Sequence, residues 1–290
     1  MKAFLLHLAK IILAKINPEF YVRNRFIANL NYTPNFKNPK THNEQMAKRR
    51  FNYTEQMTTL SDKIAVREYV SKKIGDEYLV PLFFKIDSLS KDIYNQLPSS
   101  FVIKANHGSG FNLIVKNKSE YSFDELKRIT DKWLNTKYHL IGMELHYKNI
   151  KPKLLVEQLL LDKQGQIPKD YKFCCFKNKI YLGVFIDRFL DTKVAFFDEK
   201  WKVVEYPFLF KEVKDSSKIK KPENFNEMID IAVKLSNPFD YVRVDLYSVN
   251  NKIYFGEYTF TPGSGIDKFK TYSKDLEWGK LWDKKTPQKG

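Results

Sequence analysis

The sequence predicts an α+β fold, and three observations carry that reading. Hydrophobic residues make up 43% of the 290 positions, enough to bury the core of one large domain or two ordinary ones. Short β-rich runs punctuated by two-residue turn signals crowd the chain after residue 151. Amphipathic helical stretches stand among the strands without the regular alternation of a βαβ chain.

Taken in order, "MKAFLLHLAKIILAKI" has Phe4, Leu5, Leu8, Ile11, Ile12 and Ile16 on one helical face. His7, Lys10 and Lys15 interrupt it and Asn17-Pro18 stops it short of the roughly 20 apolar residues of a membrane span, so neither a signal peptide nor an anchor is expected. Residues 1–16 suit either an anionic membrane surface or packing on their own domain. The stretch "NYTPNFKNPKTHNEQ" reads as a loop. "SDKIAVREYVSKKIG" reads as a helix capped by Ser61, with Ile64, Val66, Tyr69, Val70 and Ile74 at helical spacing and a stop at Gly75. "YLVPLFFKI" follows as a strand, and "FVIKANHGSGFNLIVK" as two strands about a tip at Asn106 to Gly110.

"SFDELKRITDKWLNTKY" is the next helix. "KLLVEQLLL", "DYKFCCFKNKIYLGVFI" with its turn at Lys177-Asn178, and "KVAFFD" are strands. "NFNEMIDIAVKLS" is helical, and "YVRVDLYSVNNKIYFGEYTF" is a hairpin turned at Asn250-Asn251. The expected organisation is a basic helical extension over 1–60, a first subdomain with a glycine flap over 61–150, and a second over 151–290.

The charge balance, 50 Lys and Arg against 34 Asp and Glu, favours polyanionic partners. The basic residues are dispersed and the aromatics sit in apolar runs, so no specific nucleic-acid partner is expected. Cys174 and Cys175 are adjacent on a strand and point to opposite faces, which disfavours a disulfide and fits a cytoplasmic chain. His139 and His146 have no third ligand at zinc spacing.

Two constellations carry chemistry. A glycine tip lets backbone N–H groups approach a polyphosphate, and Lys104 on the preceding strand can reach beneath it. The helix-opening phosphate loop and the kinase glycine loop are both absent, so this hairpin is either a nucleotide flap or a plain turn. Near the C-terminus Arg243 and Asp245 share one strand face, as do Glu257 and Thr259 on the partner strand. Two carboxylates and a hydroxyl form a hard oxygen site suited to Mg²⁺. The other reading is a ladder of salt bridges, which the flanking apolar sequence makes costly by implying burial.

Together these segments resemble the ATP-grasp enzymes. "DKIAVREYVSKKIGDEYLVP" is similar to that family's first segment, "FVIKANHGSG" to its lysine strand and flap, "LLVEQLLL" to its hinge, and "RVD…GEYTFTPGSG" to its metal segment. The four parts occur in family order over roughly residues 61–265. Thr259 stands where many members carry Asn. "NHGSG", "HYKNIKPKLLVEQLL", "DYKFCCF" and the metal segment most resemble the TupA-like branch, found with capsular, O-antigen and teichuronopeptide synthesis.

The resemblance implies a fold in which ATP lies between two β-rich subdomains. It further implies a ligase that joins an amino acid or other amine to a uronic-acid carboxyl of a polysaccharide or its precursor, through an acyl phosphate. Lys104 and Lys172 would hold phosphates, with His107, Gly108, Ser109 and Gly110 closing over them. Glu157, Gln158 and Leu160 would meet the adenine, and Asp162 the ribose. Asp245, Glu257 and Thr259 would bind Mg²⁺, Arg243 would orient the transferred phosphoryl group, and Arg188 would meet an anionic acceptor. The location implied is the cytoplasm, with contact at the inner membrane face left open. A glycosyltransferase is the rival enzyme, disfavoured by the lack of an Asp-x-Asp pair.

Overall fold

The computed structural model describes residues 16–186 and 191–282, built around two antiparallel sheets. The first holds β1 (Leu82–Ile86), β2 (Phe101–Ala105), β3 (Asn112–Val115) and β4 (Leu154–Glu157) in the order β1-β4-β2-β3. The second holds β5 (Asp170–Phe176), β6 (Lys179–Ile186), β7 (Lys193–Asp198), β8 (Tyr241–Val249) and β9 (Lys252–Thr259) in the order β7-β6-β5-β8-β9. β4, at the start of the 151–290 segment, belongs to the first sheet. The structure is thus α+β, with its hairpins where the turn residues place them. Asn250 and Asn251 turn the β8–β9 hairpin with φ of 51° and 64°, the left-handed pair that a tight two-residue turn requires and Asn tolerates.

The helices are α1 (Pro18–Leu30), α2 (His42–Arg49), α3 (Glu55–Ser61), α4 (Ala65–Ile74), α5 (Lys91–Gln96), α6 (Phe123–Leu134), α7 (His139–Gly142), α8 (Phe225–Ser236) and α9 (Tyr272–Lys280). None among the described residues is long and apolar enough to cross a membrane. On α8, Phe225, Met228, Ile231, Ala232 and Leu235 recur at helical spacing and bury against Phe173, Val242 and Val244 of the second sheet. Each large side chain so buried contributes about 1.5–3 kcal/mol. Leu126 of α6 covers the first sheet, whose Phe101, Ile103, Leu154 and Val156 are fully buried.

Two local expectations are corrected. The stretch expected as a loop ends in the first turn of α2, which starts from a capping box between Thr41 and Glu44. This helix is buried between α9 and the 262–265 turn: a Cβ on Gly279 would lie 1.9 Å from the Lys40 carbonyl oxygen. Its charged residues stay inside because they serve the backbone. Arg49 donates to the Tyr241 carbonyl at 2.6 Å and lies 4.5 Å over the Trp282 ring. Ser61 ends α3 rather than capping α4, and the Asp62 carboxylate accepts the Ile64 amide at 2.8 Å instead.

Candidate active site

The site lies along the seam between the two sheets. Lys104 rises from β2 and its ammonium donates to Glu157 at 2.6 Å, while the Arg67 guanidinium meets the other Glu157 oxygen at 3.1 Å and the Val80 carbonyl at 2.9 Å. Glu157 is only 5% exposed, so it serves as the shared counter-ion of two cations. Immediately after it the chain leaves the sheet. Gln158 and Leu160, with Val80, Val102, Ile114 and Tyr247, wall an apolar slot that has Lys104 at one side. The Gln158 amide is committed to the Pro81 carbonyl at 2.9 Å. Asp162, beyond the slot, accepts the Gln164 and Gln166 amides at 2.9 and 2.8 Å and so fixes its own turn.

The flap is the β2–β3 tip. Gly110 adopts φ +76° with open space about its α-carbon, whereas a Cβ on Gly108 would lie 2.7 Å from the Tyr138 ring. His107 is buried, packs on Phe111 and places Nε2 3.2 Å from the Thr136 carbonyl, so its ring anchors the flap root. Burial pushes the His107 pKa down. Ser109 lies against the Tyr138 hydroxyl. The flap is tied to the second sheet by Lys63, a residue that the sequence reading gave no role. Its ammonium donates to the Gly108 carbonyl at 2.6 Å and lies 3.9 Å from Glu257. Burial lowers the Lys63 pKa against the pull of Glu257. The signal was present, because Lys63 and Arg67 are four apart in the "DKIAVR" stretch.

On the second sheet, register places Lys172 opposite Asp245, Asp245 opposite Glu257, and Arg243 opposite Thr259. A bulge at Gly256 sets Glu257 beside Asp245, and a Cβ there would approach the Asp245 carbonyl to 3.0 Å. Arg243 donates twice to Asp245 at 2.7 Å and once to Glu257 at 3.3 Å, and Thr259 donates to Glu257 at 3.3 Å. Lys172 lies 3.6 Å from both Asp170 and Asp245. Burial alone would raise the Glu257 pKa, but Lys63, Arg243, Lys172 and Lys104 outweigh it and hold the carboxyl below its ordinary range. Burial would likewise lower the Arg243 pKa, and Asp245 reverses the effect.

The donor set fits Mg²⁺, which takes hard oxygen ligands. Asp245 and Glu257 are ionisable oxygen donors side by side, with Thr259 adjacent. Among the described residues no cluster of three or more His, Cys, Asp and Glu stands ready as a complete metal cage. A pair of carboxylates completed by substrate phosphates and water is the usual Mg²⁺ arrangement.

Beyond Lys172 and Arg243 opens a cavity of about 260 Å³ walled by Phe185, Phe196, Tyr206 and Phe208. His42, Asn43 and Asp267, none of them singled out by sequence, also line it. Trp282 donates its indole N–H to His42 Nδ1 at 2.9 Å, so a neutral His42 carries its proton on Nε2. Burial lowers the His42 pKa to about 3, which keeps the ring neutral. The Asp267 carboxyl sits against Gly263, and burial raises its pKa against the opposing charge of Arg243. Lys104, Lys172, Arg243, Asp245, Glu257 and Thr259 thus fall in one seam. Arg188 and residues 1–15 lie outside the described residues.

Similar folds occur among solved structures. D-alanine-D-alanine ligase from Helicobacter pylori is 16% identical, with 82% of this chain and 67% of that one covered and a TM-score of 0.44. The biotin carboxylase domain of Hydrogenobacter thermophilus 2-oxoglutarate carboxylase, solved with MgADP, is 15% identical over 77% of this chain and 45% of that one, with a TM-score of 0.40. A Chryseobacterium gregarium RiPP-associated ATP-grasp ligase, solved with ADP and peptide, is 12% identical over 79% and 61%, with a TM-score of 0.37. This chain therefore spans about half to two thirds of the length of these proteins. No curated protein matches it. The family model described as "TupA-like ATPgrasp" matches residues 43–282, which covers both sheets and every site residue described above except His42. The chain belongs to the TupA-like ATP-grasp family and has the fold of that family.

Proposed function

We propose that the protein is an ATP-dependent carboxylate–amine ligase whose acceptor is the uronic-acid carboxyl of a surface polysaccharide or its precursor. The supporting observation is the convergence of Lys63, Lys104, Lys172 and Arg243 with Asp245 and Glu257 between an apolar slot and an aromatic cavity.

In this reading the slot takes the adenine, with the backbone at Gln158 and Leu160 along its edge and Asp162 near the ribose. Lys104, Lys63 and Lys172 hold the phosphates while His107 to Gly110 form the cover. Asp245 and Glu257, with Thr259 beside them, would hold Mg²⁺, which when bound would supply neutralisation of phosphate charge. The acceptor carboxylate enters from the aromatic cavity toward Arg243.

A carboxylate oxygen attacks the γ-phosphorus, the bond to the β–γ bridging oxygen breaks, and ADP leaves. The amine nitrogen then attacks the acyl carbon, phosphate departs with the carboxyl-derived oxygen, and the nitrogen gives up a proton. Arg243 is placed to stabilise charge on the transferred group and on the tetrahedral oxyanion. Asp267, on the cavity wall, is placed to hold the incoming ammonium and accept its proton. The first sheet, which includes β4 from the 151–290 segment, and the second sheet with its carboxylates act as the two jaws, and the reaction belongs in the cytoplasm.

Calorimetric titration with a non-hydrolysable ATP analogue, with and without Mg²⁺, tests the site. Metal-dependent binding that disappears in Asp245→Asn supports it; metal-independent binding, or binding unchanged in that variant, refutes the assignment. ADP release on mixing uronic acids with amines tests the reaction.

A further inference from the structure

The aromatic cavity does not end where one sugar would. It abuts a second cavity of about 190 Å³ on the outer surface, and the two share Asn43, Leu209 and Lys268 as walls. The shared wall is a fixed rail. The Leu209 amide donates to the Lys268 carbonyl at 2.7 Å, the Lys270 amide to the Pro207 carbonyl at 2.8 Å, and Phe208 bridges Phe269. Apolar side chains along it are left in water: Leu209 is 63% exposed, Tyr272 55% and Phe210 45%. Such contiguous apolar exposure rimmed by polar groups marks a binding surface.

The chemistry of the outer cavity is distinctive. Asn29, Asn31 and Thr271 line it, the Asn29 amide also donating to the Arg25 carbonyl at 2.7 Å and the Thr271 hydroxyl accepting the Lys274 amide at 3.2 Å, and the exposed Tyr272 ring meets Tyr32 in a T-shaped contact at 5.2 Å. Amphipathic ring faces beside amide donors and acceptors suit a polyhydroxylated ring, which needs an apolar surface for its C–H face and hydrogen bonds at its rim. The charge is also complementary to an acid. Lys268, on the shared wall, makes no ion pair among the described residues. The nearby Asp275 carboxylate is already taken by Asn43 at 2.9 and 3.1 Å and by Tyr32 at 2.9 Å.

We propose that the acceptor is a chain of acidic sugars rather than a single one: the reacting residue occupies the inner cavity, its neighbour crosses Lys268, and a third lies on Tyr272. This rests on the ligase reading above for the direction of the chain, but the groove can be tested without turnover. Full-length protein with the ATP analogue and Mg²⁺ is titrated with galacturonic acid and its α-1,4-linked dimer, trimer and tetramer. Affinity is expected to rise at least about tenfold from monomer to trimer and then level off. Lys268→Gln and Tyr272→Ala, both exposed positions, should each remove most of that gain while analogue affinity and melting temperature stay unchanged. Equal affinity at every length, no binding by any oligomer, or equally tight binding of a tetraglutamate peptide would overturn the proposal. Failure of the ligase reading shows separately, as loss of metal-dependent analogue binding in the same samples.

Discussion

Replacing Lys63 by Met is the most discriminating perturbation of the nucleotide site. Met keeps the length and apolar stem of lysine but removes the ammonium that joins the Gly108 carbonyl, at 2.6 Å, to Glu257, at 3.9 Å. The lost charge-assisted hydrogen bond is worth about 1.5–3 kcal/mol, and removing a buried ammonium also relieves its desolvation, so the net change in stability should be under about 2 kcal/mol. Nucleotide binding has no such offset. A phosphate that loses one close cation forfeits about 1.4–3 kcal/mol, a weakening of roughly 10- to 150-fold. A second signature follows from Glu257, whose pKa Lys63 helps to hold down. Mg²⁺ requires the ionised carboxylate, so raising that pKa moves the acid limit of metal-dependent binding to higher pH. Calorimetry across pH 4 to 8 with the ATP analogue reads both effects, and scanning calorimetry confirms folding. Unchanged analogue affinity in a folded Lys63→Met variant would refute the phosphate role and leave Lys63 a purely structural tie.

Three further outcomes are expected. Gly256→Ala presses a Cβ to 3.0 Å from the Asp245 carbonyl at the bulge, so denaturant titration should show a loss of about 1 kcal/mol and Mg²⁺ affinity should fall several-fold. Gly263→Ala sets a Cβ 1.9 Å from the Asp267 carboxylate at φ +56°; it should abolish amide formation, measured as product, while analogue binding is retained. Burial raises the Asp275 pKa to about 6, above its unfolded value near 4, so the native state binds the extra proton between those limits. Stability from this group is therefore greatest below pH 4 and falls by about 3 kcal/mol as pH rises through 6. Denaturant midpoints of the wild type and Asp275→Asn at pH 4.5 and 7 should differ by that pH-dependent portion, and parallel profiles would exclude it.

Strand and hairpin placement was legible because it rests on local signals: period-two apolar runs, Asn-Asn and Lys-Asn turns, and a glycine tip. The same periodicity put Arg243, Asp245, Glu257 and Thr259 on one face, and the register confirms it. What sequence did not disclose depends on contacts far along the chain. Thr41 to Glu44 carried a capping-box signature, yet the Asn- and Lys-rich run around it read as solvated. α2 is buried only because Arg49 finds the Tyr241 carbonyl 192 residues away and Asn43 finds Asp275 232 residues away. His42 and Asp267 escaped notice for the same reason, since each becomes part of a cavity wall only when α2 and the 262–268 segment meet.

On the proposed reading, the charge pattern of the seam accounts for a lysine that precedes its glycines. Lys63, Arg67, Lys104, Lys172 and Arg243 are paired with Glu157, Asp170, Asp245 and Glu257 within 4 Å in a region largely shielded from water. Without these carboxylates such a cluster of cations would repel itself and pay the full desolvation penalty. A polyphosphate bound as proposed would therefore have to exchange with carboxylates for the same cations. On the proposed reading, Asp245 and Glu257 would hold Mg²⁺, and so occupied they would release Arg243, Lys172 and Lys63 for phosphate. In that reading Lys104 acts from the strand because Glu157, at the end of β4, would release it directly beneath the β2–β3 tip. A lysine after the glycines would lie on β3, on the far side of β2 from Glu157. If both bind as proposed, metal and nucleotide are thermodynamically linked through these shared side chains, and by reciprocity the nucleotide would raise metal affinity by the factor by which metal raises nucleotide affinity.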